Sequence, residues 1–228
     1  MDEVLLALPF TGRWRARNSP ARRVPSHGTD LMASRYAIDF IGVDDTHRTA
    51  HRVDWRTILA TEPPTRFVAF GRPILAPSHG TVVAAHDREP DHAARRSPLA
   101  LIPYALGQPA RIRAGTPAIA GNHVIIAIAP GTFVALVHLR QGSLTVAVGD
   151  PVTQGQHLGE CGNSGNSTQP HLHLQAMDHT DLSVARALPI RFSTFLEMPH
   201  ATHRSGLPRE NSVITPLIGP ATTRTATG

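Results

Sequence analysis

Fourteen histidines are spread over 228 residues. Two of them stand one residue apart in Pro170-His171-Leu172-His173-Leu174-Gln175. If that run is a strand, successive side chains alternate between faces. His171, His173 and Gln175 then share one face, and Leu172 and Leu174 share the other. The leucines can pin the strand to a core while two imidazoles project side by side. That geometry suits one metal ligand beside one catalytic base. Chance supplies about one His-x-His pair in a chain this rich in His, so the pair depends on its context. Just upstream lies Gly162-Asn163-Ser164-Gly165-Asn166-Ser167-Thr168. Such a loop is poor material for a core. It offers αL-tolerant positions and backbone donors at the mouth of the strand.

Three further residues are candidates for the same site. His27 lies in Pro25-Ser26-His27-Gly28-Thr29-Asp30, and Asp39 in Arg35-Tyr36-Ala37-Ile38-Asp39-Phe40. A carboxylate inside the apolar run from Tyr36 to Ile41 either caps a neighbour or binds something positive. His138 ends the predicted strand Thr132–Leu139. Taken alone, each also reads as an ordinary surface or internally satisfied residue.

Composition removes several kinds of chemistry. All 22 basic residues are Arg, and there is no Lys. A P-loop lysine, a Schiff-base lysine and a Ser–Lys nucleophile pair are therefore excluded. The net charge of +5 and pI near 10.8 favour anionic polymers. The arginines are scattered without interleaved aromatics, however, so no nucleic-acid platform is predicted. Cys161, the only cysteine, forms no intrachain disulfide and reads as a small core residue. No run is long enough for a membrane-spanning helix. The residues from Met1 to Phe10 read as a first strand rather than a signal peptide, because their start is acidic and their apolar run short.

Short apolar and β-branched runs at 4–10, 36–41, 66–70, 80–86, 122–129, 132–139, 144–148 and 171–176 are bounded by Gly and Pro. They predict strands, and the class is all-β, mainly antiparallel, in two layers. Aromatics are only 5%, so the expected core is aliphatic. Residues 43–65 and 87–98 read as exposed, polar insertions. One domain is expected over 1–195, followed by an extended, partly disordered tail over 196–228.

The order of these motifs resembles the M23 peptidases, the lysostaphin-like or LytM-type zinc endopeptidases that cut peptidoglycan cross-links. The resemblance covers roughly residues 5–178, extending to about 195. It rests on Gly71-Arg72-Pro73 through Val83, Gly121-Asn122-His123-Val124, Val137-His138-Leu139 and Val148-Gly149-Asp150-Pro151-Val152. Its most specific piece is the Gly-Asn-Ser loop followed by Pro170-His171-Leu172-His173. The resemblance implies a two-layer sandwich of the lysostaphin-like, duplicated hybrid motif type. It implies zinc as cofactor, held by His27, Asp39 and His173, with His138 and His171 as the catalytic histidines. A peptidoglycan peptide is the implied substrate, and the implied compartment is extracytoplasmic. One departure stands out. The family's commonest early motif spaces its His and Asp four residues apart, whereas His27 and Asp39 are twelve apart, with Asp30 between them. Asp39 is preferred over Asp30 because a strand can hold it rigidly.

With zinc in place, a hydrolase would need a histidine as proton acceptor, because no His-Glu-x-x-His helix occurs in the chain. Two other readings stay open at this point. One is a catalytically inactive module of the same fold that binds cell wall or a protein partner. The other is a phosphohistidine carrier, which would use two close histidines without the Asp or the Gly-Asn loop.

Overall fold

The computed structural model describes residues 3–52, 54–97 and 116–217. Its centre is the expected strand, β10 (Leu172–Met177), which lies between β3 (Ile38–Gly42) and β7 (Thr132–Leu139). Both pairings are antiparallel. Register sets Leu174 opposite Ile38 on one side and Leu136 on the other. All three are fully buried, which is the period-two pattern read from the sequence. Outward from β7 follow β6 (Asn122–Ala129), β5 (Gly80–His86) and β8 (Pro151–Val152). Outward from β3 follow β2 (Trp14–Arg17), β14 (Val213–Pro216), β12 (Ile190–Glu197) and β1 (Val4–Leu6). Two short strands flank this path: β11 (Ala187–Leu188) pairs with β10, and β13 (Thr202–Gly206) with β12. Among the described strands only β1 and β12 are parallel. The class is mainly β and mostly antiparallel, as expected. A separate ribbon of β4 (Pro73–Leu75) and β9 (His157–Glu160) contributes Ile74 and Leu158 to the main core. Among the described residues there are also two short α-helices, α1 (Trp55–Leu59) and α2 (Thr116–Ala120), and two 3-10 segments, Leu31–Tyr36 and Pro64–Arg66.

The main core is largely aliphatic, as expected, but five aromatic rings meet within it. Phe10 stacks on Trp14 with ring centroids 4.7 Å apart, and Phe40 meets Phe10 and Phe192 edge-on at 5.0 and 5.6 Å. Phe195 is buried in the same cluster. A thin aromatic supply is concentrated rather than missing, because each ring buries more apolar area than any aliphatic side chain.

Several strand boundaries also move. The run 66–70 starts at the end of the 3-10 turn Pro64–Arg66, makes a single bridge at Phe67 and continues as turns, and 144–148 has no regular structure. The tail expected from 196 onward is structured in part. Residue 196 falls inside β12, and β14 fills a position between β12 and β2. Leaving β14 out would expose the buried Val213 and Ile214, which explains why a Pro- and Thr-rich stretch still folds. Residues 218–228 lie outside the described residues, as do 98–115.

The two insertions are not free loops. Glu62 exchanges backbone hydrogen bonds with Ala94, and its side chain, 0% exposed, accepts two bonds of 2.7 Å from Arg96. Ala50, Phe67 and Ala94 bury a small apolar cluster beside this clasp. Polar composition suggested exposure, but a paired charge is a stable way to bury a carboxylate.

Leu174→Ala removes a fully buried side chain between two neighbouring strands and is expected to cost about 2–5 kcal/mol. Val148→Ala, at a residue 62% exposed, should stay within about 0.5 kcal/mol. Chemical denaturation of both variants measures the contrast.

Candidate metal centre

The face of β10 opposite the core carries His173 and Gln175. Register places His173 directly across from Asp39 on β3. Their side chains meet, with His173 Nδ1 2.9 Å from Asp39 Oδ1. His27 arrives from outside the sheet, and its Nε2 lies 3.2 Å from Asp39 Oδ2. One potential ligand atom from each of His27, Asp39 and His173 lies within 4.8 Å of the others. These are the three residues named as the expected metal ligands.

The twelve-residue spacing is accommodated by a closed excursion. Ser26 N–H donates to Arg35 O, and the Ser34 hydroxyl lies against Thr29 O and Leu31 O. A 3-10 segment over Leu31–Tyr36 folds the chain back, interrupted by left-handed Met32 and Ala33. The excursion therefore starts and ends at nearly the same place and returns His27 to the side of Asp39. Asp30 takes no part in the cluster. It is exposed and accepts two hydrogen bonds from Arg35 at 2.8 and 2.9 Å.

His138 and His171 lie against this group, with ring centroids 4.8 Å apart. His138 sits where the β6–β7 register slips: Val137 pairs with His123 and Leu139 with Asn122. At this bulge His138 has φ 65°, a left-handed conformation that costs a non-glycine residue of order 1 kcal/mol. The bulge re-aims the imidazole, which a regular strand would place on the core face with Leu136. His171 precedes β10, and its Nε2 lies 3.7 Å from Asp39 Oδ1.

Hydrogen bonds away from the cluster settle which ring nitrogen faces it. His138 Nδ1 is 2.9 Å from Ser164 O, and His171 Nδ1 is 2.8 Å from Gln169 O. A carbonyl oxygen only accepts, so both Nδ1 atoms carry the proton and both Nε2 atoms present a lone pair. For His27, Nδ1 lies 3.0 Å from Ser26 Oγ, whose own proton goes to Ser34 O. His27 thus also carries a proton at Nδ1, and its Nε2 faces Asp39. Asn18 Nδ2 donates to Asp39 Oδ2 at 2.7 Å and orients the carboxylate.

Electrostatics follow from this packing. Burial works against ionising Asp39, but His171 and hydrogen bonds from His173 and His27 outweigh it and hold its pKa well below the usual carboxylate range. Burial, reinforced by His171 and His173, pushes the His138 pKa well below its usual value. Burial lowers that of His171 as well, against the pull of Asp39. His173 shifts the other way: burial opposes its charge, yet the hydrogen bond to Asp39 prevails and raises its pKa. At neutral pH the result is one carboxylate with two neutral imidazoles beside it. Cys161, by contrast, is fully buried and its thiol is pushed up by burial, so it is no nucleophile.

The donor set fits zinc in its chemistry. Two imidazole nitrogens and one carboxylate oxygen are ligands zinc accepts, and three protein ligands are the usual number at a site that keeps a position open.

Sequence reading missed the supports. Asn18 gave no signal, since an Asn after a short strand is unremarkable. The residues 87–97 hold the Gly-Asn-Ser loop: Asp91 Oδ1 accepts from Asn163 N–H at 2.6 Å and Oδ2 from Gln141 N–H at 3.0 Å. His92 Nε2 is 2.8 Å from Gly165 O. Asp91 thus joins the segment after His138 to the loop before His171. At Gly121, φ is +63° and a Cβ would come within 2.6 Å of the Ser164 backbone, so that glycine lets the loop close on β6.

Asp91→Ala should leave two backbone N–H groups without their acceptor and cost about 1–3 kcal/mol. Amide exchange at Asn163 and Gln141 should accelerate, while that of Leu174 keeps pace with global unfolding. Equal exchange at all three would contradict this role.

Comparisons with known proteins agree with the motif reading. The model of peptidase family M23 matches residues 105–184. That segment holds His138, His171 and His173 but not His27 or Asp39. Among curated proteins there is no significant match. The solved structures to which the chain is similar include three of different kinds. The first is the catalytic domain of the antimicrobial peptidase lysostaphin from Staphylococcus simulans. It shares 22% identity over 67% of this chain and 74% of that one, with a TM-score of 0.38. The second is a chain of the SpoIIQ–SpoIIIAH pore forming complex, at 17% identity over 66% and 60%, TM-score 0.35. The third is a zinc containing peptidase from Vibrio cholerae, at 18% over 67% and 50%, TM-score 0.34. This chain spans only 60% and 50% of the last two. At these TM-scores the likenesses carry no argument about the site.

Proposed function

We propose that this chain, which carries peptidase family M23 sequence over residues 105–184, is a zinc-dependent endopeptidase acting on peptide cross-links of peptidoglycan. The observation that carries the reading is the convergence of His27, Asp39 and His173 beside the paired imidazoles of His138 and His171. The family supports the substrate class. Among the described residues no helix is long and apolar enough to cross a membrane.

His27 Nε2, the Asp39 carboxylate and His173 Nδ1 would hold the metal. A bound zinc ion supplies Lewis-acid activation of water and of the scissile carbonyl. The protein's own part is proton handling. His171, kept neutral by burial, takes a proton from the attacking water at Nε2 and passes it to the departing amine. Its Nδ1–H stays with Gln169 O, so the ring does not rotate during the transfer. His138 presents a second neutral Nε2 on the same side, an acceptor that would help to orient the attacking water.

Purified protein is expected to contain one zinc ion per chain by elemental analysis, and His173→Ala should lose it. His171→Ala should retain zinc but cleave muropeptides at least about 100-fold more slowly. Folded wild-type protein that takes up no zinc would defeat the metal assignment. Undiminished cleavage by His171→Ala would defeat the catalytic one. A zinc-loaded wild type without cleavage would point to a binding module.

A further inference from the structure

Three of the four clustered imidazoles have their outward nitrogen held by a backbone carbonyl or a serine. His173 is the exception: its Nε2 lies 3.0 Å from the side-chain oxygen of Gln175. An amide side chain can face a ring with either end, so the orientation of Gln175 decides the protonation pattern of His173. That orientation is fixed from behind. Gln175 Nε2 is 2.8 Å from Met32 O and 3.6 Å from Met177 Sδ. Neither atom donates a hydrogen bond, so the NH2 end belongs on that side and Oε1 must face His173. Gln175 is 4% exposed, leaving water little access to either end. Met32 O is itself placed by the left-handed kink at Met32 and Ala33, inside the excursion that returns His27 to Asp39.

We infer that Gln175 selects the ligand atom of His173. Its carbonyl oxygen keeps a proton on Nε2, so Nδ1, the atom facing Asp39, is the one that exchanges its hydrogen bond to the carboxylate for a metal ion. Turned end for end, the amide would place N–H groups against Nε2, favour a proton on Nδ1, and close the site to a cation. Gln175 is therefore a positioning residue that acts through His173. It also links the ligand on β10 to the excursion carrying His27, so one side chain coordinates two parts of the centre. This inference rests on the metal-centre reading.

The test uses the full chain and zinc, with affinity measured by competition against a chromophoric chelator. Gln175→Met keeps the volume but removes the acceptor, and zinc affinity should fall about 10- to 100-fold. Gln175→Glu restores an acceptor for Nε2–H but leaves Met32 O without a donor. It should hold zinc at least as tightly as wild type while unfolding at a lower temperature. In zinc-loaded wild type, long-range 1H–15N spectra of the imidazoles should show His173 protonated at Nε2, a readout that needs no variant. Zinc affinity of a folded Gln175→Met within about twofold of wild type would overturn the inference. So would equal weakening by Met and Glu, or a His173 proton on Nδ1. A wild type that takes up no zinc would overturn the metal-centre reading itself, before any variant is compared.

Discussion

The pairing of β3 with β10 places Asp39 opposite His173, and most of what surrounds the centre depends on that register. A slip of β10 by one residue would turn His173 into the core, away from Asp39, and bring Leu172 or Leu174 to the open face. The register is therefore held by hydrophobic burial rather than by the polar pair. Leu172, Leu174, Ile38, Phe40 and Leu136 are all fully buried, and burying each large side chain is worth about 1.5–3 kcal/mol. The site lies on the reverse of the strongest part of the core.

A buried carboxylate between imidazoles is unfavourable unless something positive or hydrogen-bonding compensates it. Here Asn18 and three histidines do so, and they keep Asp39 ionised. Each imidazole has one nitrogen committed to a protein group and the other directed inward. A cation entering this arrangement would replace hydrogen bonds to Asp39 at ring nitrogens already aimed inward, with little reorganisation of the side chains left to perform. The bulge at His138 is a strain the sheet tolerates because Asn122 and Ser164 both donate to the adjacent Leu139 carbonyl.

The sequence showed the central strand and its chemistry clearly, since alternation in His171–Gln175 follows directly from the two-residue period. It also named His27, Asp39 and His138, through motif order rather than local pattern. The closed excursion from Ser26 to Ala37 was not legible, because its closure depends on backbone hydrogen bonds that leave no compositional mark. The clustering of aromatics is not legible because five rings far apart in the chain, from Phe10 to Phe195, meet only through the fold. Asp91 and Glu62 looked like loop charges, and their function as anchors depends on partners 72 and 34 residues away. Residues 202–216 read as tail because a stretch rich in Pro and Thr resembles a linker until the strands on either side of β14 are seen.

The most direct test of the metal centre is anomalous diffraction at the zinc edge from crystals of the zinc-loaded protein. The account predicts one strong peak about 2.0–2.2 Å from His27 Nε2, an Asp39 carboxylate oxygen and His173 Nδ1. A peak at any other group of residues, or ligation of His173 through Nε2, would contradict it.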